Sequence, residues 1–174
     1  GLHIITGGDD RTIRTWDAVD GKPETTSPAL PSLIRSIAAS ADGQTIGVGL
    51  ADGSSHLISL NGAKETPEIH LISPGTSEGD GAIVSLLPDP LSLMTASGRT
   101  VQVWPVALSK STKVLAGHRR QVYGLAFSAD GQQLASAGAD GTLRQWDVAK
   151  LTQIRETKAH GSIAYAVAFN PAGD

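Results

Sequence analysis

The chain has 174 residues, no cysteine and a formal net charge of −3, from 14 Lys and Arg against 17 Asp and Glu. The lack of cysteine excludes disulfides, zinc thiolate sites and thiol nucleophiles, and no run of about 18 apolar residues is present to span a membrane. The acidic balance disfavours a surface for nucleic-acid phosphates, so we predict no nucleic-acid partner and no membrane insertion.

One phrase with a large apolar anchor residue at its last or next-to-last position recurs along the chain. Its copies span residues 6–17, 48–59, 95–104 and 136–147. The second copy is degraded and has an isoleucine in place of the tryptophan. The anchors are spaced 42, 46 and 42 residues apart and are Trp16, Ile58, Trp104 and Trp146. A nearly constant period of this length indicates a repeat architecture.

Two further phrases keep the same period. A Ser-Ala-Asp-Gly turn phrase occurs at 40–43 and 128–131, and a Gly-His pair at 117–118 recurs as Ala-His at 159–160. The polar segment 73–81 is predicted to be an exposed loop, which accounts for the widened spacing of 46. Three phrases that share one period make the repeat a strong signal.

Each repeat has the pattern of a strand, a tight turn and a second strand. Polar and apolar side chains alternate, as they do in half-buried strands, over residues 11–16, 100–104 and 142–146. Gly and Asp accept the positive φ of hairpin turns, and Asp-Gly pairs stand at 42–43, 130–131 and 140–141. No window has sustained helical periodicity, so the sequence predicts an all-β fold.

The Gly-His and Trp-Asp phrases, on a period of about 40–45 residues, resemble the WD-repeat β-propeller family. The resemblance covers essentially the whole chain and is best over 117–147. It implies four-stranded antiparallel blades, about four of them in this chain, as part of a larger ring. The units would be a partial blade at 1–30, blades at 31–72, 73–116 and 117–158, and the first strand of a further blade at 159–174.

The resemblance also implies a structural role for the repeated polar residues. In the family, a His, a Ser or Thr, an Asp and a Trp form a hydrogen-bonded tetrad that links an outer loop to two inner strands. The corresponding residues here are His118, Ser136, Asp140 and Trp146, with Thr6, Asp10 and Trp16 as three members of another tetrad and His160 as the first of a further one. A Ser-His-Asp hydrolase is the alternative. Recurrence in each repeat, without a G-x-S-x-G elbow, favours structure, and we predict no catalytic residue.

Other motifs indicate neither a metal nor a cofactor. Three isolated histidines lack the spacing of metal ligands, which favours surface or strand positions for His3, His56 and His70. Asp9-Asp10 is predicted to be a turn because no calcium-loop pattern follows it, and Gly-Val-Gly at 47–49 lacks the third glycine and helix of a dinucleotide loop. Arg119-Arg120 is predicted to lie in a solvated loop. We therefore predict no metal and no cofactor.

The resemblance places partner contacts on one loop face, at two positions of each repeat. The first position follows the first apolar residue of the innermost strand and corresponds to Arg35, Tyr123 and Tyr165. The second precedes the turn Asp and corresponds to Asp9, Ala51, Ser97 and Ala139. Arg and Tyr are residue types that contribute strongly to interfaces. The alternative is that Tyr123 and Tyr165 only pack between adjacent blades.

These observations predict a non-catalytic scaffold that presents its loop faces to one or more protein partners. The alternative is a regulatory or sensor propeller fused to a catalytic or electron-transfer domain outside this chain. The incomplete first and last repeats suggest a fragment that would associate with other molecules through its open blade edges. The alternative is that a strand at 163–169 completes the first blade and closes a four-bladed ring. Gly- and Ala-rich repeats suggest a bacterial source. The compartment is left open, with the cytoplasm as the first expectation.

Overall fold

A computed structural model describes residues 3–40, 42–60, 68–73, 82–87, 92–105 and 113–170. The chain divides into two compact units, residues 1–82 and 83–174. The described ranges contain strands and turns and no helix, so the predicted all-β fold is confirmed. Within them, accordingly, no helix has the length and apolar character needed to cross a membrane.

The first unit contains two antiparallel sheets. The first sheet has three strands in the order β1-β2-β3, namely β1 (His3–Gly7), β2 (Ile13–Asp17) and β3 (Pro23–Thr26). The second sheet has four strands in the order β4-β5-β6-β7, namely β4 (Ile34–Ala39), β5 (Thr45–Leu50), β6 (Ser55–Ser59) and β7 (Glu68–Ser73). Within each sheet, consecutive strands are hydrogen-bonded neighbours, because short hairpin connections join them.

The second unit contains two four-stranded antiparallel sheets of the same design. The third sheet consists of β8 (Ile83–Leu87), β9 (Ser92–Ser97), β10 (Thr100–Pro105) and β11 (Lys113–Ala116). The fourth sheet consists of β12 (Val122–Phe127), β13 (Gln133–Gly138), β14 (Thr142–Asp147) and β15 (Thr152–Lys158). Three four-stranded sheets and one three-stranded sheet are consistent with blades of a partial WD-repeat propeller.

Apolar side chains of the sheets form one core cluster in each unit. The cluster of the first unit comprises Ile13, Leu30, Ile46, Val48, Leu50 and Ile58. That of the second unit comprises Met94, Ala96, Val101, Val103, Leu115, Val122, Leu134 and Trp146. Two sheets therefore share one core in each unit, as packed sheet layers do.

The Ser-Ala-Asp-Gly phrases form two similar hairpin turns. Ser40 Oγ donates to Asp42 Oδ1 at 2.5 Å, and Ser128 Oγ donates to Asp130 Oδ1 at 2.6 Å. The following glycines have φ values of 70° and 68°. This conformation confirms the hairpin chemistry predicted for these Asp-Gly pairs, because glycine adopts positive φ without a steric cost.

The structure differs from the sequence expectation at two places. Residue Arg11, expected to begin a strand, has a φ of 65° in the turn before β2. Residues 159–170, expected to contain the first strand of a further blade, form no strand, and the segment 171–174 lies outside the described residues. Ala164 N–H instead donates to the Gly138 carbonyl at 3.1 Å. A strand needs a continuous ladder of partners, which an isolated bond of this kind does not supply.

Candidate interaction site and the polar networks of the repeats

The fourth sheet brings four predicted tetrad residues together in one hydrogen-bonded chain. His118 Nδ1 lies 3.1 Å from Asp140 Oδ2, and His118 Nε2 lies 2.8 Å from Ser136 Oγ. Trp146 Nε1 donates to Ser136 Oγ at 2.9 Å. Ser136 and Trp146 stand on the neighbouring strands β13 and β14, whereas His118 comes from the loop before β12. The chain therefore ties this loop to the interior of the sheet.

The ionisation of Asp140 determines the direction of these hydrogen bonds. Burial raises the pKa of Asp140, but hydrogen bonds from Thr142, the Arg119 amide and His118 outweigh burial and hold the pKa well below its usual range. Burial lowers the pKa of His118 despite the neighbouring carboxylate. Because the carboxylate only accepts, a neutral His118 donates from Nδ1 and accepts at Nε2 from the Ser136 hydroxyl.

The same donor order, from Ser to His to Asp, orients the nucleophile of serine hydrolases. In this chain, however, Ser136 is 0% exposed, and the Trp146 indole donates to its hydroxyl oxygen. A nucleophile needs a free lone pair and access for a substrate. The observed geometry instead satisfies the donors and acceptors of a buried polar network.

The first sheet repeats part of this arrangement near the surface. Trp16 Nε1 donates to Thr6 Oγ1 at 2.8 Å. Asp10 lies apart from that pair and accepts from the amide and hydroxyl of Thr12, and from Arg14 Nη2 at 2.6 Å. These bonds, led by the Arg14 bond, lower the pKa of Asp10 to about 2. At the turn Asp of the first sheet, Arg14 thus supplies a side-chain hydrogen bond, whereas His118 supplies one to Asp140 in the fourth sheet.

The third sheet also has an indole–hydroxyl bond, which the sequence analysis did not identify. Trp104 Nε1 donates to Thr95 Oγ1 at 3.0 Å, between the adjacent strands β9 and β10. Its sequence signal was the threonine nine residues before a tryptophan, close to the ten-residue separation in the first and fourth sheets. The indole–hydroxyl bond therefore recurs in three sheets, although Gly98 replaces the turn Asp in this one.

In the second sheet, two apolar residues occupy the positions of the hydroxyl and the indole. Val48 and Ile58 are separated by the same ten residues as Ser136 and Trp146, and both are 0% exposed. Replacement of both partners leaves no polar atom unpaired, which is why it is tolerated in a core.

The remaining histidines lie in varied environments. His3 in β1 is exposed and lies 2.8 Å from Glu24 Oε2. His56 in β6 is buried, its Nε2 lies 3.3 Å from Ser54 Oγ, and burial lowers its pKa. His160 is exposed in the loop after β15, where its backbone amide donates to Gly141. His70 lies in β7, and its side chain is outside the described residues. Within the described ranges, no three His, Asp or Glu side chains form a group that could hold a metal ion.

Two of the predicted partner-binding residues occupy equivalent β-bulges. The register of β4 against β5 shifts between Ile34 and Ser36, which leaves Arg35 as the extra residue. The register of β12 against β13 shifts between Val122 and Gly124, which leaves Tyr123 as the extra residue. A bulge turns the side chain of the extra residue away from the regular alternation. Arg35 is exposed and Tyr123 is partly exposed.

The structure also brings the two tyrosines together. The ring centroids of Tyr123 and Tyr165 lie 5.4 Å apart with an interplanar angle of 37°. Tyr165 is 67% exposed. The pair therefore forms an aromatic surface, which we call the tyrosine pair. Asp9, one of the residues at the second predicted contact position, is exposed in the turn between β1 and β2.

Antiparallel sheets of three or four strands, with an indole–hydroxyl bond that recurs in three of them, agree with the resemblance to the WD-repeat family. In agreement, the family model described as "WD domain, G-beta repeat" matches residues 1–17 and 109–147. The matched residues make up about a third of the chain and include the four tetrad residues of the fourth sheet, so the match supports the WD-repeat resemblance there.

The chain is similar over most or part of its length to several curated proteins. It is 27% identical over 174 residues to Periodic tryptophan protein 2 of Arabidopsis thaliana, which covers 98% of this chain and 19% of that protein. It is 34% identical over 103 residues to small ribosomal subunit protein RACK1y of Oryza sativa subsp. japonica, a match that covers 56% of this chain and 30% of that protein. It is 27% identical over 184 residues to the guanine nucleotide-binding protein subunit beta of Solanum tuberosum, a match that covers 99% of this chain and 48% of that protein.

The chain thus spans between about a fifth and a half of these relatives. All three relatives are eukaryotic, and they do not support the bacterial source suggested by the Gly- and Ala-rich repeats. Composition is a poor indicator of source, since small residues are also required at tight turns and close strand contacts. Gly49 illustrates this, because a Cβ there would collide with the Ala82 carbonyl.

Proposed function

We propose that this chain is a non-catalytic binding platform, in which the tyrosine pair contacts a protein partner. The observation that carries the proposal is the bulge at Tyr123, which presents this ring beside the exposed ring of Tyr165. Large rigid aromatic side chains contribute much of the binding energy of protein interfaces. Arg35, at the equivalent bulge of the second sheet, is proposed as a second contact, and Asp9 as a third.

The polar network supports this proposal because it positions the loop that precedes Tyr123. His118 is anchored by Asp140 and Ser136, and the Arg119 amide donates to Asp140 Oδ2 at 2.8 Å. The Gln121 carbonyl accepts from the Ala139 amide at 2.7 Å. A loop held at three successive places loses little conformational entropy on binding. We therefore propose a structural role for the tetrad of the fourth sheet.

The names of two relatives are compatible with a platform role. One is a subunit of a guanine nucleotide-binding protein and another is a protein of the small ribosomal subunit, so both names denote components of larger assemblies. For this chain, the identity of the partner is not specified by these names. The proposal therefore concerns the class of partner, a protein, and the surface that it contacts.

Capture of protein partners by the protein carrying this chain tests the proposal. We expect Tyr123→Ala and Tyr165→Ala to reduce capture about tenfold or more, since removal of a central aromatic contact typically has an effect of this size. Val19→Ala is the matched control, because Val19 is an apolar side chain that is 89% exposed in another turn. Unchanged capture by folded tyrosine variants would contradict the proposal and leave packing between blades as the role of the pair.

A further inference from the structure

An open cleft of about 500 Å³ lies beside the tetrad of the fourth sheet. Its walls are the arginine pair Arg119 and Arg120, the turn residues Ala139 and Asp140, and the segment 161–163. The arginine pair ends two residues before β12 begins, and the segment 161–163 ends two residues before Tyr165. The same two stretches of chain thus carry both the cleft and the tyrosine pair.

Backbone contacts hold the walls of this cleft together. The amides of Ala159 and His160 both donate to the Gly141 carbonyl, at 3.0 and 3.1 Å. Gly141 has a φ of 72°, and a Cβ there would collide with the carbonyl groups of His160 and Ser162. Only glycine allows these segments to approach so closely. The cleft is therefore preformed in the folded chain.

The net charge of the cleft is positive because two arginines, Arg119 and Arg120, line it together with one carboxylate, that of Asp140. Asp140 accepts from the side chain and amide of Thr142, from His118 and from the Arg119 amide. Lys158 Nζ donates to the Asp140 carbonyl at 2.8 Å and places a further cation at this turn. Across the described part of the chain, the exposed guanidinium groups of Arg119 and Arg120 have no ion-pair partner.

We infer that this cleft binds an anionic side chain, a carboxylate or a phosphate, of a peptide segment in the protein partner. Arg is suited to this chemistry because its planar guanidinium donates two parallel hydrogen bonds to either group. The inference deepens the proposed function and rests on it: the tyrosine pair would contact the apolar part of the segment and the arginine pair its charge. Arg119 and Arg120 are exposed in the loop before β12, as predicted from the sequence, and the inference adds a ligand to that loop.

A peptide fits these observations better than a nucleic acid. Binding to nucleic-acid backbones requires several phosphate contacts spread along a basic surface. Here only two arginines line the cleft, and the chain as a whole carries a net charge of −3. The neighbouring Ile163 is partly buried and adds an apolar wall to the cleft. One anionic group next to apolar side chains is the pattern of a peptide.

Fluorescence anisotropy with four labelled probes at low salt tests the inference. The probes are hexaglutamate, a Gly-rich peptide with one phosphoserine, hexalysine and a 12-nucleotide single-stranded DNA. We expect saturable binding of hexaglutamate, the phosphoserine peptide or both, which identifies the preferred anion, and none of hexalysine. Arg119→Gln and Arg120→Gln should each weaken this binding about tenfold, as the loss of a charge-assisted contact predicts.

Lys150→Gln is the matched control. It removes one positive charge from the β14–β15 turn, at the end of the hairpin opposite to Lys158 and the cleft. It should change the affinity less than twofold. Absence of binding by both acidic probes, or equal weakening by all three substitutions, would overturn the inference. Tighter, arginine-dependent binding of the DNA would overturn the assignment to a peptide.

Partner capture separates this inference from the proposed function. If the tyrosine variants lose the partner while Arg119→Gln and Arg120→Gln retain it, the platform stands and the cleft has no part in it. If the arginine variants lose both the acidic probe and the partner, both statements are supported. If the tyrosine variants retain the partner, the proposed function fails whatever the probes show. Melting curves of each variant confirm that it is folded.

Discussion

Ser136 Oγ accepts a hydrogen bond from Trp146 Nε1 at 2.9 Å, with both side chains almost completely buried. The pair joins β13 to β14 and continues through His118 to the loop before β12. In the second sheet, the equivalent positions hold an apolar pair of residues. Equivalent buried positions therefore hold a hydrogen-bonded pair in the fourth sheet and an apolar pair in the second sheet.

This comparison predicts coupling between Ser136 and Trp146. Ser136→Ala leaves the indole N–H without its acceptor and should lower the free energy of unfolding by about 1–3 kcal/mol. Trp146→Phe should also destabilise, through lost volume. The double variant should cost about 1 kcal/mol less than the sum, because neither partner is left unpaired. Denaturant unfolding of the four proteins measures the cycle, and strict additivity would contradict an energetic link.

The two turn aspartates should differ in their effect on stability. The Asp140 side chain is almost completely buried and accepts from four donor groups of three residues, Thr142, His118 and Arg119, so Asp140→Ala should lower the free energy of unfolding by about 2–3 kcal/mol. Asp10 accepts from Thr12 and Arg14 at the surface, and Asp10→Ala should have a much smaller effect. Equal losses in urea unfolding would show that the buried network is not the source of the difference.

Stability should fall on mild acidification because of His118. Burial lowers the pKa of His118 in the folded chain, so the unfolded chain binds more protons once the pH falls below about 6.5. The pKa of Asp140 is also held low, which removes further stability when the pH falls below about 4. The free energy of unfolding should therefore decrease from pH 7 to pH 5.

His118→Gln should make this decrease shallower, although not zero, because burial also lowers the pKa of His56. His160→Gln is the control, since His160 is exposed in a loop, and it should retain the slope of the unmodified chain. Denaturant unfolding at several pH values measures the three slopes. An unchanged slope in His118→Gln would contradict the assignment of the proton uptake to this residue.

Gly141 should tolerate substitution less well than Gly43. Both glycines have a φ of about 70°, so alanine costs about 1 kcal/mol at either position through backbone strain. A Cβ at Gly43 has open space, whereas one at Gly141 meets two carbonyl groups. Gly141→Ala should therefore cost about 1–3 kcal/mol more, as overpacking does. Equal melting temperatures for the two variants would mean that the close approach at Gly141 is absent in solution.

The sequence alone determined most of the strands, the Asp-Gly turns and the four residues that are hydrogen-bonded together in the fourth sheet. Their residue patterns are local and recur with one period, so each copy supports the others. The Ser-Ala-Asp-Gly turns, and the bond between Ser136 and Trp146, follow from positions that can be counted along the chain. The apolar pair Val48 and Ile58 could also have been located by this count.

Tertiary structure alone decided the bulges, the tyrosine pair and the cleft. Whether Tyr123 is the extra residue of a bulge depends on the register of β12 against β13, which side-chain alternation does not specify. The segment 159–170 has a strand-like sequence but forms no strand, and the amides of Ala159, His160 and Ala164 donate to the carbonyls of Gly138 and Gly141. Local patterns report which face of a strand is apolar. Distances between segments, and thus the site, arise from the packing of the folded chain.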